Sequence, residues 1–181
     1  MIPSASFFED NPCPDIKNIA YIHAGFECSP RIIEDEKRYL GKGMIETMLP
    51  YKIQDNYDRA REMKAHTVIV LKNNLVRAEI MPAYGGRLRR IYDKVQKREL
   101  LYVNPVFQPG NLALRNAWFS GGVEFNVGIK GHNPLTCSPM WARIDKTEEG
   151  DIVRLYEYER IRGVVCSMSF YLPDNSPVLY I

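Results

Sequence analysis

Histidine is scarce in this chain: only His23, His66 and His132 occur in 181 residues. The four cysteines, Cys13, Cys28, Cys137 and Cys166, are scattered without a CxxC pair. Ligand spacing for a zinc site is therefore missing, and neither a metal nor another cofactor is indicated. Charge of one sign is not in excess, since 24 Lys and Arg face 22 Asp and Glu for a net +2. That balance compels neither a nucleic-acid nor a membrane partner. The opening MIPSASFFEDNPCP has no basic stretch leading into an apolar core, so it does not read as a signal peptide. No apolar run reaches transmembrane length. The expectation is a soluble, cytoplasmic protein with free thiols. Gly41-Lys42-Gly43 lacks the GxxxxGK[ST] pattern of a phosphate loop. Helical periodicity is hard to find after residue 65.

What the chain does have is tyrosine, eleven of them, and short runs of Val, Ile, Tyr and Phe between turn residues. This composition predicts an all-β fold. Residues 1–43 read as an irregular N-terminal arm, with a short helix expected from Pro30 to Leu40 because Ser29-Pro30 and the acids 34–36 suit a helix start. Residues 44–181 read as the β domain. Met44 to Tyr51 is expected as an edge strand and Asp55 to Lys64 as a solvated connection. HTVIVLK and LVRAEIM flank Asn73-Asn74, a hairpin signal because Asn tolerates positive φ. Val76, Ala78 and Ile80 should face one way, Arg77 and Glu79 the other. After Gly85-Gly86 a strand should run to Asp93, and a hairpin should lead into Glu99 to Val103. NPVFQPGN must be loop. Strands are expected over Pro139 to Ile144 and Asp151 to Arg160, joined by TEEG. Val164, Cys166, Met168, Phe170 and Leu172 alternate with polar or smaller neighbours as a half-buried strand. PDNSP turns the chain toward Val178-Leu179-Tyr180-Ile181, an apolar run that reads as a strand of a sheet continuing beyond it, so an incomplete domain is expected. The basic group Arg87, Arg89, Arg90, Lys94, Lys97 and Arg98 has no interleaved aromatics, which favours a solvated face over a nucleic-acid site.

The chemistry concentrates in RNAWFSGGVEFNVGIKGHNP, residues 115–134. Arg115, Asn116, Trp118, Glu124, Asn126 and His132 surround two glycine breaks, Gly121-Gly122 and Gly131. Glycine weakens a strand and is used where backbone bends or something approaches closely. Charged and amide groups bond hydroxyls, and an indole covers the apolar face of a sugar ring, so the set suits a polyhydroxyl ligand. The competing reading is a buried turn with a satisfied Glu–Arg pair. Arg87 either reaches this cleft or makes a structural salt bridge. His132 either acts on a ligand or caps its loop. His23 and His66 read as surface or strand-end residues, and Trp118 and Trp141 fit a sandwich core at least as well as a sugar platform.

The segments LVRAEIMPAYGGRL, RELLYVNPVFQPGNLALRNAWFSGGVEFN, GIKGHNP, YEYERIRGVV and FYLPDNSPVLY resemble a bacterial galactose-mutarotase-like domain of unknown function that precedes tetratricopeptide repeats in longer proteins. The resemblance runs from about Asn74 to Ile181. It departs at Phe125, where the family is expected more often to carry Trp. It implies an antiparallel β-supersandwich with a carbohydrate-sized groove on a concave face, present here as an N-terminal portion. The partners it implies are the rest of the sandwich and tetratricopeptide repeats of a longer chain.

Mutarotation needs an acid at the ring oxygen and a base at the anomeric hydroxyl. In galactose mutarotases a His is the acid and a downstream Glu the base. The resemblance makes His132 the candidate acid, while the downstream Glu has no counterpart before Ile181. Glu124 would then orient His132 or bond a hydroxyl, with Arg115 holding its charge. A glycoside hydrolase would need two opposed carboxylates. Two function classes remain. One is an aldose epimerase-like or glycoside-processing enzyme centred on His132 and Glu124, with Arg87, Arg115, Asn116, Trp118 and Asn126 binding the sugar. The other is a non-catalytic carbohydrate-sensing or scaffold module.

Overall fold

The computed structural model describes residues 1–7, 29–35, 48–127 and 132–181. Its described strands, in chain order, are β1 (Ile2–Ser4), β2 (Glu62–Lys64), β3 (Ile69–Lys72), β4 (Val76–Met81), β5 (Arg87–Asp93) and β6 (Arg98–Glu99). They continue with β7 (Gly110–Ala113), β8 (Asn116–Trp118), β9 (Trp141–Thr147), β10 (Gly150–Glu159) and β11 (Val164–Tyr171). Every pairing between these strands is antiparallel. Helix among the described residues amounts to Glu34 and Asp35. No described helix is long and apolar enough to cross a membrane.

Two sheets form the sandwich, one ordered β3-β4-β5-β6 and the other β11-β10-β9. Leu71, Val76, Ala78, Ile80 and Leu88 from the first meet Val153, Leu155, Cys166, Met168 and Phe170 from the second in one buried cluster. The two-residue alternation of β10 and β11 explains the inward wall. A slip of one residue would turn Val153, Leu155, Met168 and Phe170 to water, at roughly 1.5–3 kcal/mol for each. The predicted all-β antiparallel sandwich is therefore the observed one.

Several elements differ from the sequence expectation. The hairpin at Asn73-Asn74 forms, but not through positive φ, which non-glycine residues adopt only at Lys97 and Asn116 among the described residues. Asn73 Oδ1 instead accepts from the N–H groups of Leu75 and Val76, both at 2.8 Å. Its Nδ2 donates to the carbonyls of Pro173 and Ser176 at 2.7 and 2.8 Å, fastening the tip of one sheet to a turn of the other. The charged run expected as a connection supplies β2, which pairs with β1 at the start of the expected irregular arm. β2 exposes Glu62 and Met63 and needs only main-chain partners, so composition does not reveal it. Ser4 also bridges to Phe107 within the predicted loop. Of the expected edge strand at 44–51, residues 44–47 lie outside the described ones, and Leu49-Pro50 is a turn. The helix expected at 30–40 is described only as far as residue 35. Cys13, Cys28, His23 and Gly41–Gly43 also fall outside the described residues, while Cys137 and Cys166 are buried.

Two expectations about burial are overturned. Arg87 does not share a solvated basic face: it is 2% exposed. Arg77, Arg89 and Arg90 converge on Glu79 and cover it; the irregularity in the β4–β5 pairing leaves Arg89 as the extra residue on β5, between the partners of Glu79 and Ile80. Trp141 is not core. It lies opposite Tyr156 on the outer face of the β9–β11 sheet and is 67% exposed.

Candidate functional site

Gly122 sets the geometry of the central stretch. Its φ is +71°, and a Cβ there would sit 2.3 Å from the Leu88 carbonyl oxygen. The contact lets Val123 exchange two backbone hydrogen bonds with Leu88, at 2.9 and 3.2 Å. Val123, Phe125 and Val127 then pack on the core, Phe125 edge-on against Phe170 with centroids 5.5 Å apart. Phe125 is thus a core contact rather than a sugar platform. The alternation leaves Glu124 and Asn126 on the other side of the segment.

Asn126 fastens the returning loop. Its Oδ1 accepts the Asn133 N–H at 2.7 Å, and Asn133 Nδ2 donates to the Phe125 carbonyl at 2.9 Å. Asn133 Oδ1 in turn accepts the Leu135 N–H. These bonds hold His132 over Glu124, with Nδ1 2.7 Å from Glu124 Oε2. The same oxygen accepts the Trp118 indole N–H at 2.9 Å, and the Trp118 and His132 rings lie 5.2 Å apart. A carboxylate facing Nδ1 fixes the tautomer: Nδ1 carries the proton in neutral imidazole, and Nε2 is left as the working nitrogen. The His132 side chain is 37% exposed and Glu124 12%, so the ring meets solvent while its orienting carboxylate is covered.

Arg87 lies beneath this group. It donates to the carbonyls of Phe119 and Gly121 and to Thr136 Oγ1, at 3.0–3.1 Å. Its guanidinium sits 4.2 Å from the Phe119 ring centroid and 5.8 Å from that of Trp118. Burial alone pushes the Glu124 carboxyl up. Hydrogen bonding with Trp118, Thr136 and His132, together with the Arg87 charge, outweighs burial and holds it below the usual carboxylate range. Oε1 is buried, and the Thr136 hydroxyl acts on the carboxylate without making a hydrogen bond of ordinary length and angle to that oxygen.

A pH dependence follows. The folded value of Glu124 is depressed, so its contribution to stability is complete above the unfolded value of about 4.3. It is lost as pH falls through the lower folded value. The unfolding free-energy difference between wild type and Glu124→Gln, measured in urea, should shrink as pH falls below about 4. A difference that grew over that acid range would contradict this electrostatic account.

The sequence-predicted residues divide into two groups. Trp118, Glu124, His132 and Arg87 come together, with Asn126 as fastener. Arg115 belongs elsewhere: it donates to the carbonyls of Lys52 and Pro134 and to Ser138 Oγ, and it lies 4.7 Å from the Tyr51 ring centroid. The arginine acting on Glu124 is Arg87. Asn116 closes the β7–β8 turn at φ +75° and bridges to Gln54. Sequence reasoning missed Asn133 and Thr136. The first follows His132 directly and the second closes the same loop, so the GHNPLT run carried the available signal. His66 is more than a strand-end residue: it contacts Ser4 Oγ through Nε2 and the Tyr84 hydroxyl through Nδ1. No group of three or more His, Cys, Asp or Glu side chains suited to a metal occurs among the described residues.

A cleft of about 440 Å³ is walled by Arg115 and not by His132 or Glu124.

A family model described as a domain of unknown function (DUF5107) matches residues 44–180. Among solved structures, a TPR-domain containing protein from Parabacteroides distasonis superposes with a TM-score of 0.71 at 21% identity. The match covers 98% of this chain and 26% of that protein, so the chain spans about a quarter of its structural relative. At this identity the likeness is one of fold.

Proposed function

The chain belongs to the DUF5107 family of domains of unknown function, and on that premise we propose that it is a saccharide-recognising domain of galactose-mutarotase type. One observation carries the reading: Glu124 Oε2 holds both the His132 ring and the Trp118 indole. An aromatic face, an oriented imidazole and a buried carboxylate in one cluster suit a sugar ring and its hydroxyls. His132 Nε2 is the group that would exchange a proton with the ring oxygen or anomeric hydroxyl. Glu124 positions it and stabilises the charge it gains, as a carboxylate does for a catalytic imidazole.

The second reading is a module that binds saccharide without turning it over. The absence of a second carboxylate bonded into the cluster among the described residues favours it, since mutarotation needs two proton-transfer groups. The solved relative is a TPR-domain containing protein, which suits a recognition module serving attached repeats.

Anomer exchange of galactose and glucose, followed by NMR on the 181-residue chain, separates the two. In the catalytic reading wild type accelerates exchange, and His132→Asn loses on the order of 10²–10⁴-fold of that acceleration. In the recognition reading the Trp118 indole N–H resonance shifts with sugar while exchange stays at the solvent rate. If exchange is not accelerated and the Trp118 resonance does not shift, the saccharide assignment falls.

A further inference from the structure

Strand β9, with the sequence WARIDKT, ends the sheet ordered β11-β10-β9. It pairs with β10 on one side, and among the described residues no strand or bridge occupies the other. It is also open on both faces, since every residue of β9 except Asp145 is exposed. Ala142 and Ile144 lie opposite the fully buried Leu155 and Val153, on the core face, yet Ile144 is 48% exposed. The first sheet therefore stops short of β9. A strand of this length with an open edge presents unpaired N–H and C=O groups, which are a template for another strand.

Charge selects the strand that fits. Arg143 lies directly opposite Arg154 of β10, and like charges so placed are unfavourable. Asp145 relieves them from the diagonal, 2.8 Å from Arg143 Nε and 2.6 Å from Arg154 Nε. One carboxylate thus serves two guanidinium groups, and a net positive charge remains beside the open edge. A second β9 running antiparallel brings an answering pattern. A two-fold axis perpendicular to the sheet keeps each face on its own side, so it must pass beside a residue rather than between two. Beside Arg143 it sets arginine against arginine, and beside Asp145 aspartate against aspartate. Beside Ile144 it sets Arg143 of each copy against Asp145 of the other.

We propose that two copies of this chain associate through β9, antiparallel about an axis at Ile144, joining their three-stranded sheets into one of six. Ile144 meets its own counterpart on the core face, and Trp141 lies opposite Thr147 on the outer face. Lys146 lies opposite Ala142, which has no long side chain for it to displace, and it keeps its 2.6 Å contact with Asp151. Contact through a single strand is small by the standard of lasting complexes, so the dimer is weak and its population follows concentration. The surface uses none of the residues of the His132 cluster, so it stands or falls apart from the saccharide reading.

The test is sedimentation equilibrium of the full 181-residue chain from about 10 μM to 1 mM, where a weak interface should carry it from monomer to dimer. Arg143→Asp and Asp145→Arg each place like charges opposite one another twice in the dimer. Each should weaken self-association by about tenfold or more. An equimolar mixture of the two variants sets unlike charges opposite one another again, as does the double variant, and each should recover the dimer. Recovery in the mixture also shows that both variants are folded. The proposal is overturned if wild type grows past a dimer, if either single variant self-associates like wild type, or if neither the mixture nor the double variant recovers association. A wild type that stays monomeric to about 1 mM would overturn it as well, and would leave the open edge to a different strand.

Discussion

Replacing Arg87 with alanine should lower the unfolding free energy by about 3–5 kcal/mol, the usual cost of removing one partner from a buried charged network. Three acceptors, the carbonyls of Phe119 and Gly121 and the Thr136 hydroxyl, would lose their donor at once. Glu124 would lose the positive charge that helps keep it ionised in a covered position. The Phe119 ring would lose the guanidinium stacked 4.2 Å from its centroid. Arg87→Lys should recover only part of the loss, because an ammonium restores charge without the planar fork that serves several acceptors. Urea unfolding near neutral pH reads both variants. A loss below about 1 kcal/mol for the alanine variant would place Arg87 among ordinary surface cations and undo its role beneath the site.

Gly122→Ala carries the other large expected effect, about 2–5 kcal/mol. A left-handed conformation costs an L-residue roughly 1–2 kcal/mol, and overpacking against rigid backbone adds about 1–3. The added carbon would meet the Leu88 carbonyl at 2.3 Å and the Arg89 Cα at 2.9 Å, and neither is the flexible end of a side chain. Relief requires the 121–123 backbone to leave β5, breaking the Val123–Leu88 pair and displacing Glu124 from Trp118 and His132. Gly110→Ala is the control: a carbon there meets nothing within 4 Å, so its effect should stay within about 0.5 kcal/mol. Similar losses for the two variants would show that close approach is not why residue 122 is glycine.

The inward faces of β4, β10 and β11 could be read from the sequence because alternation and burial say the same thing there. Glu79 and Arg87 could not: Glu79 keeps its place in the alternation but is covered by three arginines, and Arg87 is held in a buried hydrogen-bond network. β2 was hidden for another reason: an edge strand of exposed side chains is held by its backbone, which composition does not report. At the site, Trp118, Glu124 and His132 were legible as unusual residue types beside glycines. Their mutual geometry was not, since it depends on Asn126 and Asn133 tying two separate strips of chain together. Arg115 was assigned to Glu124 because the two are near in sequence. Arg87, distant in sequence, takes that place because β5 runs directly under the Val123 bridge.

The Asn73 side chain has a consequence for how this domain can be altered. Hairpin tips are ordinarily where a chain accepts insertions or new termini, because little but solvent surrounds them. Here the tip of β3–β4 is a clasp, gripping two carbonyls of the 173–176 turn in the opposite sheet. Lengthening it would unlatch one end of the sandwich. The permissive tip is the next one, at Val95 and Gln96, whose backbone N–H groups bond only to Asp93 within their own turn.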